Sequence, residues 1–167
     1  FNINKVTKQE ILDENNEENT QSNKESEQNN EKIEETIKEN GEVINVNDDN
    51  YMDTLNNVYQ NVDQYIGTTI NIEGCIFRDG PPIDENQFCA GKYYIYCCAA
   101  DMSLVGFLYQ YDNYQDVIDG RWYKIQAVVS KRESEDPYYG KYTEPLLMVK
   151  EISEINKPNN TVVYQNY

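Results

Sequence analysis

The pattern of hydrophobic and polar positions divides the chain into two parts near residue 46. Residues 1–45 are dominated by Asn, Glu, Gln, Lys and Ser, with scattered isoleucines and no aromatic residue after Phe1. Such a segment buries too little apolar surface to offset the entropy lost on ordering. The pattern predicts an acidic, disordered tether over 1–45. A helix around 31–39, where Ile33 and Ile37 lie four residues apart, is the alternative.

Helical spacing follows directly after this boundary. Apolar residues recur every three or four positions from Met52 to Val62, which predicts an amphipathic helix. Residues 69–77 then alternate, with three isoleucines on one face, which predicts a strand with one buried side. Further strands are predicted over 93–98, 104–111, 122–131 and 146–155, with a short helix over 114–118 and a turn-rich segment over 134–140.

Five strands with a short helix between the third and fourth follow the order of an OB-fold, a five-stranded Greek-key barrel. We therefore predict a mostly β, OB-fold-like domain over 46–167, with the barrel at about 67–156 and the N-terminal helix packed on it from outside. A split β-sandwich is the alternative, because periodicity does not separate the two architectures.

Composition narrows the class of partner. The chain carries a formal charge of −16, so a nucleic-acid partner is not expected, since binding a phosphate backbone needs a basic surface. Cations and basic protein surfaces are favoured instead. No apolar run reaches the roughly 18 residues that a membrane helix needs. The chain has no histidine and no phosphate-binding glycine loop, so we predict a protein that is not an enzyme.

The pair Cys97-Cys98, followed by Asp101, is the main candidate for chemistry. Packing of at least one thiol in the core is the commonest use of free cysteine. Thiolates also bind zinc and other soft ions, with Asp101 as an oxygen ligand; a closed zinc site would need Cys75 and Cys89 as well. A strained vicinal Cys97–Cys98 disulfide, or a Cys75–Cys89 bridge, is a third interpretation.

The other candidate residues have plainer alternatives. Asp101 suits the capping of a turn as well as a metal ligand. Tyr94, Tyr96, Tyr109 and Tyr111 lie on strands that pair in an OB-fold, where they form either a binding platform or part of the core. Arg78 is a weak binding candidate that could pair with Asp79 at the exit of the first strand.

The order of motifs over 43–167 resembles the YcgQ-like family of bacterial membrane-associated proteins of unknown biochemical role, whose members pair with a predicted permease subunit. The matching stretches are 44–49, 55–59, 65–67, Gly74-Cys75-Ile76-Phe77-Arg78, 86–88, Cys97-Cys98-Ala99-Ala100-Asp101, 106–108, Trp122, Pro158 and Val163-Tyr164. The chain departs from the family pattern at Cys75, Cys89 and Gly91-Lys92.

The resemblance implies a soluble domain outside the cytoplasm, anchored through membrane helices that this chain does not contain. Residues 1–45 would then join membrane and barrel. The resulting hypothesis is a binding or accessory domain that contacts a soft metal or the permease subunit through Cys97 and Cys98. A thiol-redox protein and a purely structural OB-like spacer are the competing hypotheses.

Overall fold

The computed structural model describes residues 39–78 and 83–164. The strands are β1 (Val43–Asn45), β2 (Thr69–Phe77), β3 (Gln87–Tyr94), β4 (Ser103–Gln110), β5 (Trp122–Asp136), β6 (Gly140–Ile155) and β7 (Val162–Val163). The helices are α1 (Tyr51–Gln60) and α2 (Val62–Tyr65), and single 3-10 turns lie at Ala99–Asp101 and Tyr114–Asp116. The helix predicted around 31–39 lies almost wholly outside the described residues.

Strand pairing closes a five-membered ring. β2 pairs with both β3 and β5, β5 pairs with β6, β6 with β4, and β4 with β3. The β4–β6 pairing is parallel and the other ring pairings are antiparallel. The prediction of a mostly β, OB-fold-like domain is confirmed. Two short strands extend the sheet, since β1 pairs with β2 and β7 with β3.

The N-terminal helix belongs to the barrel core. The apolar residues of α1, including Tyr51, Leu55 and Val58, are buried in the same cluster as Ile70 of β2 and Phe107 of β4. Burial of this apolar face removes it from water, which is the main force that holds a short amphipathic helix in place. The helix predicted over 114–118 is only the 3-10 turn Tyr114–Asp116.

Several predicted boundaries are wrong for identifiable reasons. The turn predicted over 134–140 is confined to 137–139, because the Asp136 carboxylate accepts the N–H groups of Tyr138 and Tyr139 at 2.7 and 2.9 Å and closes the hairpin tightly. The strand predicted over 93–98 is wrong in position, because the observed strand β3 runs from Gln87 to Tyr94 and ends where the prediction begins. Strand β1 places residues 43–45, assigned from sequence to the tether, with the β domain.

Three glycines allow the first three ring strands to approach closely. Gly91 of β3 lies directly opposite Gly106 of β4, and Gly74 of β2 lies beside Gly91. A Cβ atom on Gly91 would overlap the carbonyl oxygen of Val105, and one on Gly106 would overlap that of Ala90. The β3–β4 hairpin, which carries both adjacent cysteines, therefore depends on glycine at this crossing.

Candidate functional site

The adjacent cysteines lie in the loop between β3 and β4, which we call the thiol loop (residues 95–102). The last residue of β3, Tyr94, pairs with the first residue of β4, Ser103, so the loop begins and ends at one point of the sheet. Cys97 and Cys98 are both exposed, and the interpretation that at least one packs in the core is wrong. The loop therefore presents both sulfur atoms to solvent.

Asp101 folds the thiol loop around its carboxylate. One oxygen accepts the backbone N–H of Tyr96 at 3.2 Å and the other accepts that of Cys97 at 2.8 Å, while Cys98 N–H lies 3.4 Å from both. These backbone N–H groups could otherwise continue the pairing of β3 with β4. Because they bond to the Asp101 carboxylate instead, β3 ends at Tyr94. The turn-capping role considered for Asp101 is present in the structure.

The same carboxylate lies beside the two thiols. A sulfur from Cys97, a sulfur from Cys98 and a carboxylate oxygen from Asp101 all lie within 4.8 Å of one another. This is the only such group of three potential ligands found among residues 39–78 and 83–164. Two sulfur atoms and one oxygen at an exposed loop match the donor preference of soft and borderline metal ions.

The two thiols differ in acidity. The pKa of Cys98 lies below its usual range, first because the backbone N–H of Ala100 bonds its sulfur and then because the Cys97 thiol does. A hydrogen bond from Cys97 to the Asp101 carboxylate raises the pKa of Cys97 to about 11, and the bond to Cys98 acts in the same direction. Cys98 is therefore the more acidic thiol of the loop, and Cys97 is the neighbour that donates a hydrogen bond to it.

Iodoacetamide is expected to modify Cys98 before the other thiols, because the thiolate is the nucleophile and its fraction rises as pH passes the pKa. The rate at Cys98 should therefore rise at a lower pH than the rate at Cys97. In Asp101→Asn, loss of the carboxylate lowers the Cys97 pKa and speeds its alkylation. Peptide mass spectrometry over roughly pH 6 to 9 measures each site. Equal pH profiles at the two cysteines would contradict this assignment.

Cys75 and Cys89 are not brought to the thiol loop. Cys75 is buried on β2 and Cys89 is half-buried on β3, and burial raises the pKa of both, that of Cys89 to about 11. All four cysteines are free thiols in the structure, so neither the vicinal nor the Cys75–Cys89 disulfide is formed. The closed four-thiolate zinc site considered from sequence has no counterpart in this geometry.

The four tyrosines do not form one platform. Tyr109 is fully buried, with its ring stacked on Phe88 at 5.5 Å between centroids, so it belongs to the core. Tyr94 is half-buried against the core, Tyr111 follows β4, and only Tyr96, in the thiol loop, is strongly exposed, at 71%. Tyr96 is therefore the one of the four placed to contact a partner at the thiol loop.

Tyr109→Phe is expected to leave the free energy of unfolding unchanged or to raise it by up to about 1 kcal/mol, since the buried Tyr109 hydroxyl has no partner among the described residues. Tyr51→Phe is the matched comparison. The Tyr51 hydroxyl donates to the Val105 carbonyl at 2.9 Å and accepts the Lys92 N–H at 3.1 Å, so its loss should cost about 1–2 kcal/mol. Urea unfolding followed by Trp122 fluorescence measures both; equal losses would contradict this account.

Arg78 has a structural role. Its guanidinium pairs with Asp119 and donates to the carbonyls of Tyr114 and Val117 at 3.1 and 2.9 Å, which holds the connection between β4 and β5. The pairing with Asp79 considered from sequence concerns a residue outside the described ranges. Arg78 therefore has three protein partners in this loop, and its guanidinium stabilises the loop.

Strand β3 carries a buried cation that was not predicted from the sequence. Lys92 has a side chain only 7% exposed, pairs with Asp48 and lines a cavity of about 270 Å³ together with Tyr51, Glu73 and Asn160. Asp48 also accepts a hydrogen bond from Asn160 at 2.8 Å, so the segment before α1 and the segment before β7 meet at β3. Lys92 is part of the Gly91-Lys92 departure from the family pattern, which was the available signal.

Fold and site together define a class of protein: an acidic OB-like β domain that exposes a Cys-Cys-Asp loop between its second and third barrel strands. The chain belongs to the family described as the DUF1980 C-terminal domain, whose model matches residues 19–165. This confirms the YcgQ-like family predicted from the motifs. None of the helices in the described part of the chain is long and apolar enough to cross a bilayer.

The chain is similar to one curated protein and, weakly, to solved structures of another protein. The chain is 27% identical over 124 residues to the UPF0703 protein YcgQ of Bacillus subtilis (strain 168). The match covers 74% of this chain and 42% of that protein, so the chain spans less than half of its relative. Two crystal structures of the mitochondrial single-stranded DNA binding protein Rim1 of S. cerevisiae superpose with TM-scores of 0.32 and 0.31, at 13% identity, over 54% of this chain and 96% of theirs.

Proposed function

We propose that this domain is a non-enzymatic accessory domain that binds a soft metal ion at the thiol loop. The observation that carries the proposal is the convergence of two exposed sulfur atoms and one carboxylate oxygen within 4.8 Å. Copper(I) and zinc(II) are the ions whose ligand preferences this set fits best, because thiolate is the favoured ligand of both.

The acidity of the loop supports metal binding. A metal displaces the proton of each thiol ligand, so a thiol with a lowered pKa binds at a smaller cost in proton release. Cys98 has that property, and Cys97, with its raised pKa, loses its proton when the ion arrives. Metal affinity should therefore rise with pH across the neutral range, as both protons become easier to remove.

The number of ligands favours exchange over storage. Structural zinc sites have four protein ligands, whereas sites that exchange a ligand leave a coordination position open. The thiol loop offers three and is exposed, so an incoming ligand can reach the ion. The site suits an ion that passes to or from a partner.

We further propose that the partner is a membrane permease subunit and that this domain lies outside the cytoplasm, anchored through a segment that this chain does not include. Support comes from the YcgQ-like resemblance and from the charge of −16, which favours cations and basic protein surfaces over nucleic acid. Co-purification of the membrane-anchored protein with a candidate permease subunit, in native and Cys97→Ser/Cys98→Ser forms, tests this step. Retention of the complex without metal would identify docking as separate from metal binding.

The function test measures metal content and free thiols together, on protein purified without chelator and without a metal-affinity column. Near-stoichiometric copper or zinc with two masked thiols supports the proposal. Reactive thiols, no retained metal and no binding of added copper(I) or zinc(II) would overturn it and leave a structural spacer.

A thiol-redox role is the second candidate, favoured by the opposite pKa shifts of the adjacent thiols. In that reaction the two thiols lose two electrons and two protons to a disulfide oxidant and form the Cys97–Cys98 bond. Titration of metal-free protein with glutathione disulfide distinguishes it. Loss of two thiols, with the Cys97–Cys98 bond identified by mass spectrometry, favours redox chemistry.

A further inference from the structure

Four strands place polar side chains in a single row across the outside of the barrel. Asn45 of β1 lies opposite Asn71 of β2, Asn71 lies opposite Gln126 of β5, and Gln126 lies opposite Glu151 of β6. Because side chains alternate along a strand and neighbouring Ile70 is in the core, this row faces outward. We call these four residues the amide row.

Hydrogen bonds fix the orientation of the three amides. Gln126 Nε2 donates to Asn71 Oδ1 at 2.9 Å, and Asn71 Nδ2 donates to Asn45 Oδ1 at 2.9 Å. An amide side chain has two N–H donors and an oxygen with two lone pairs, so each keeps unused capacity. Within 39–78 and 83–164, no partner is found for Nδ2 of Asn45 or Oε1 of Gln126, and these two groups form the opposite ends of a preorganised relay.

The amide row lies along a groove of about 630 Å³. This volume is within the range of about 300–1,000 Å³ that is typical of ligand sites. Tyr111, Lys124 and Ser153 also line the groove, together with Ile125 and Ile152. Among the described residues, the side chains of Lys124, Glu151 and Ser153 have no hydrogen-bond or ion-pair partner, so their polar groups are available to a ligand.

We propose that this groove binds a neutral, polyhydroxylated ligand, a short oligosaccharide chain. Sugar hydroxyls both donate and accept, as the amide row does, so a hydroxyl can take up the hydrogen-bonding capacity that each amide has left. Tyr111 adds an aromatic side chain, which combines apolar surface with a polar hydroxyl.

Charge and polarity argue against the other ligand classes. The groove carries one cation, Lys124, and one anion, Glu151, so it has no net attraction for phosphate chains. An apolar ligand would leave the amide groups unpaired, at a cost in affinity. This groove is separate from the proposed metal site, because β1, β2, β5 and β6, with Tyr111, form the groove and the β3–β4 loop carries the thiols.

The test follows amide chemical shifts of the ¹⁵N-labelled chain during titration with two probes, tri-N-acetylchitotriose and maltotriose. Saturable shifts at the amide row, with a dissociation constant on the order of 1 mM, are expected with at least one of them. Comparison of the probes shows whether acetamido groups contribute to recognition. Asn71→Ala/Gln126→Ala should weaken binding about tenfold or more, since the relay is lost.

Two single variants distinguish binding in the groove from a general effect of substitution. Gln115→Ala removes an exposed amide away from the groove and should leave binding unchanged. Ser153→Ala, at an exposed position, tests the groove if the double variant unfolds, and should weaken binding by about threefold or more. Absence of saturable shifts with both sugars, equal binding by native chain and groove variants, or stronger shifts at this row with a thymidine hexanucleotide would overturn the proposal.

Discussion

Serine at both Cys97 and Cys98 is expected to lower the affinity of the domain for copper(I) or zinc(II) by at least about a thousandfold. Four-ligand zinc sites in small peptides bind with about 10–16 kcal/mol, or roughly 3 kcal/mol for each ligand. Loss of two thiolates therefore removes about 6 kcal/mol of binding free energy. If each thiolate contributes its whole share, the dissociation constant rises by more than about four powers of ten. Competition with a chromophoric chelator measures this change, and circular dichroism checks that the exposed loop variant is folded.

Single variants separate the contributions of the two thiols. Cys98→Ser should be more damaging at neutral pH than Cys97→Ser, because the Cys98 pKa is lowered and that of Cys97 is raised. Cys89→Ala is the matched control, since Cys89 is half-buried on β3 and outside the ligand group. If the double variant binds as tightly as the native chain, or if Cys89→Ala loses as much affinity, the thiol loop is not the metal site.

Gly91→Ala is expected to lower the free energy of unfolding by about 3 kcal/mol. The added Cβ atom would overlap the Val105 carbonyl oxygen, and its other near neighbours are also backbone atoms of β4. Backbone atoms cannot rotate away as a side chain can, so β3 and β4 must separate; overpacking of this kind costs about 1–3 kcal/mol and occasionally more. A loss of about 10 °C in the thermal midpoint follows.

Gly120→Ala provides the matched control for this prediction. Gly120 has φ of +78° but open space where a Cβ would lie, so alanine meets backbone strain alone, at about 1–2 kcal/mol. Thermal and urea unfolding of both variants distinguish crowding from strain. If Gly91→Ala is no more destabilised than Gly120→Ala, the close approach of β3 and β4 does not limit stability.

Local patterns predicted much of the fold. The strand predicted over 69–77 has the same bounds as β2, although Cys75 on the face opposite the isoleucines is also buried. The spacing from Met52 predicts α1 because the apolar residues of this helix bury one continuous face. β3 was misplaced toward 93–98, where Tyr-Ile-Tyr imitates a strand. Its actual span includes Gly91 and Lys92, which have weak strand preference and are held by pairing with β4.

The candidate site could be predicted only in part. The thiol pair and Asp101 are neighbours in sequence, so their chemistry could be proposed from sequence alone. The exposure of both cysteines could not be predicted, because it depends on the fold of the loop around the Asp101 carboxylate, which accepts the backbone N–H groups. Lys92 and Asp48 are 44 residues apart, and the amide row joins four separate strands. Contacts between distant segments arise from strand register, which periodicity does not encode.

The position of Asp101 couples metal binding at the thiol loop to the backbone hydrogen bonds of the same loop. The carboxylate that would contribute an oxygen to the ion already accepts the backbone N–H groups of Tyr96, Cys97 and Cys98. A bound cation withdraws electron density from those oxygens and weakens the three hydrogen bonds. Hydrogen–deuterium exchange at these three amides thus reads occupancy of the loop without any label, chromophore or substitution.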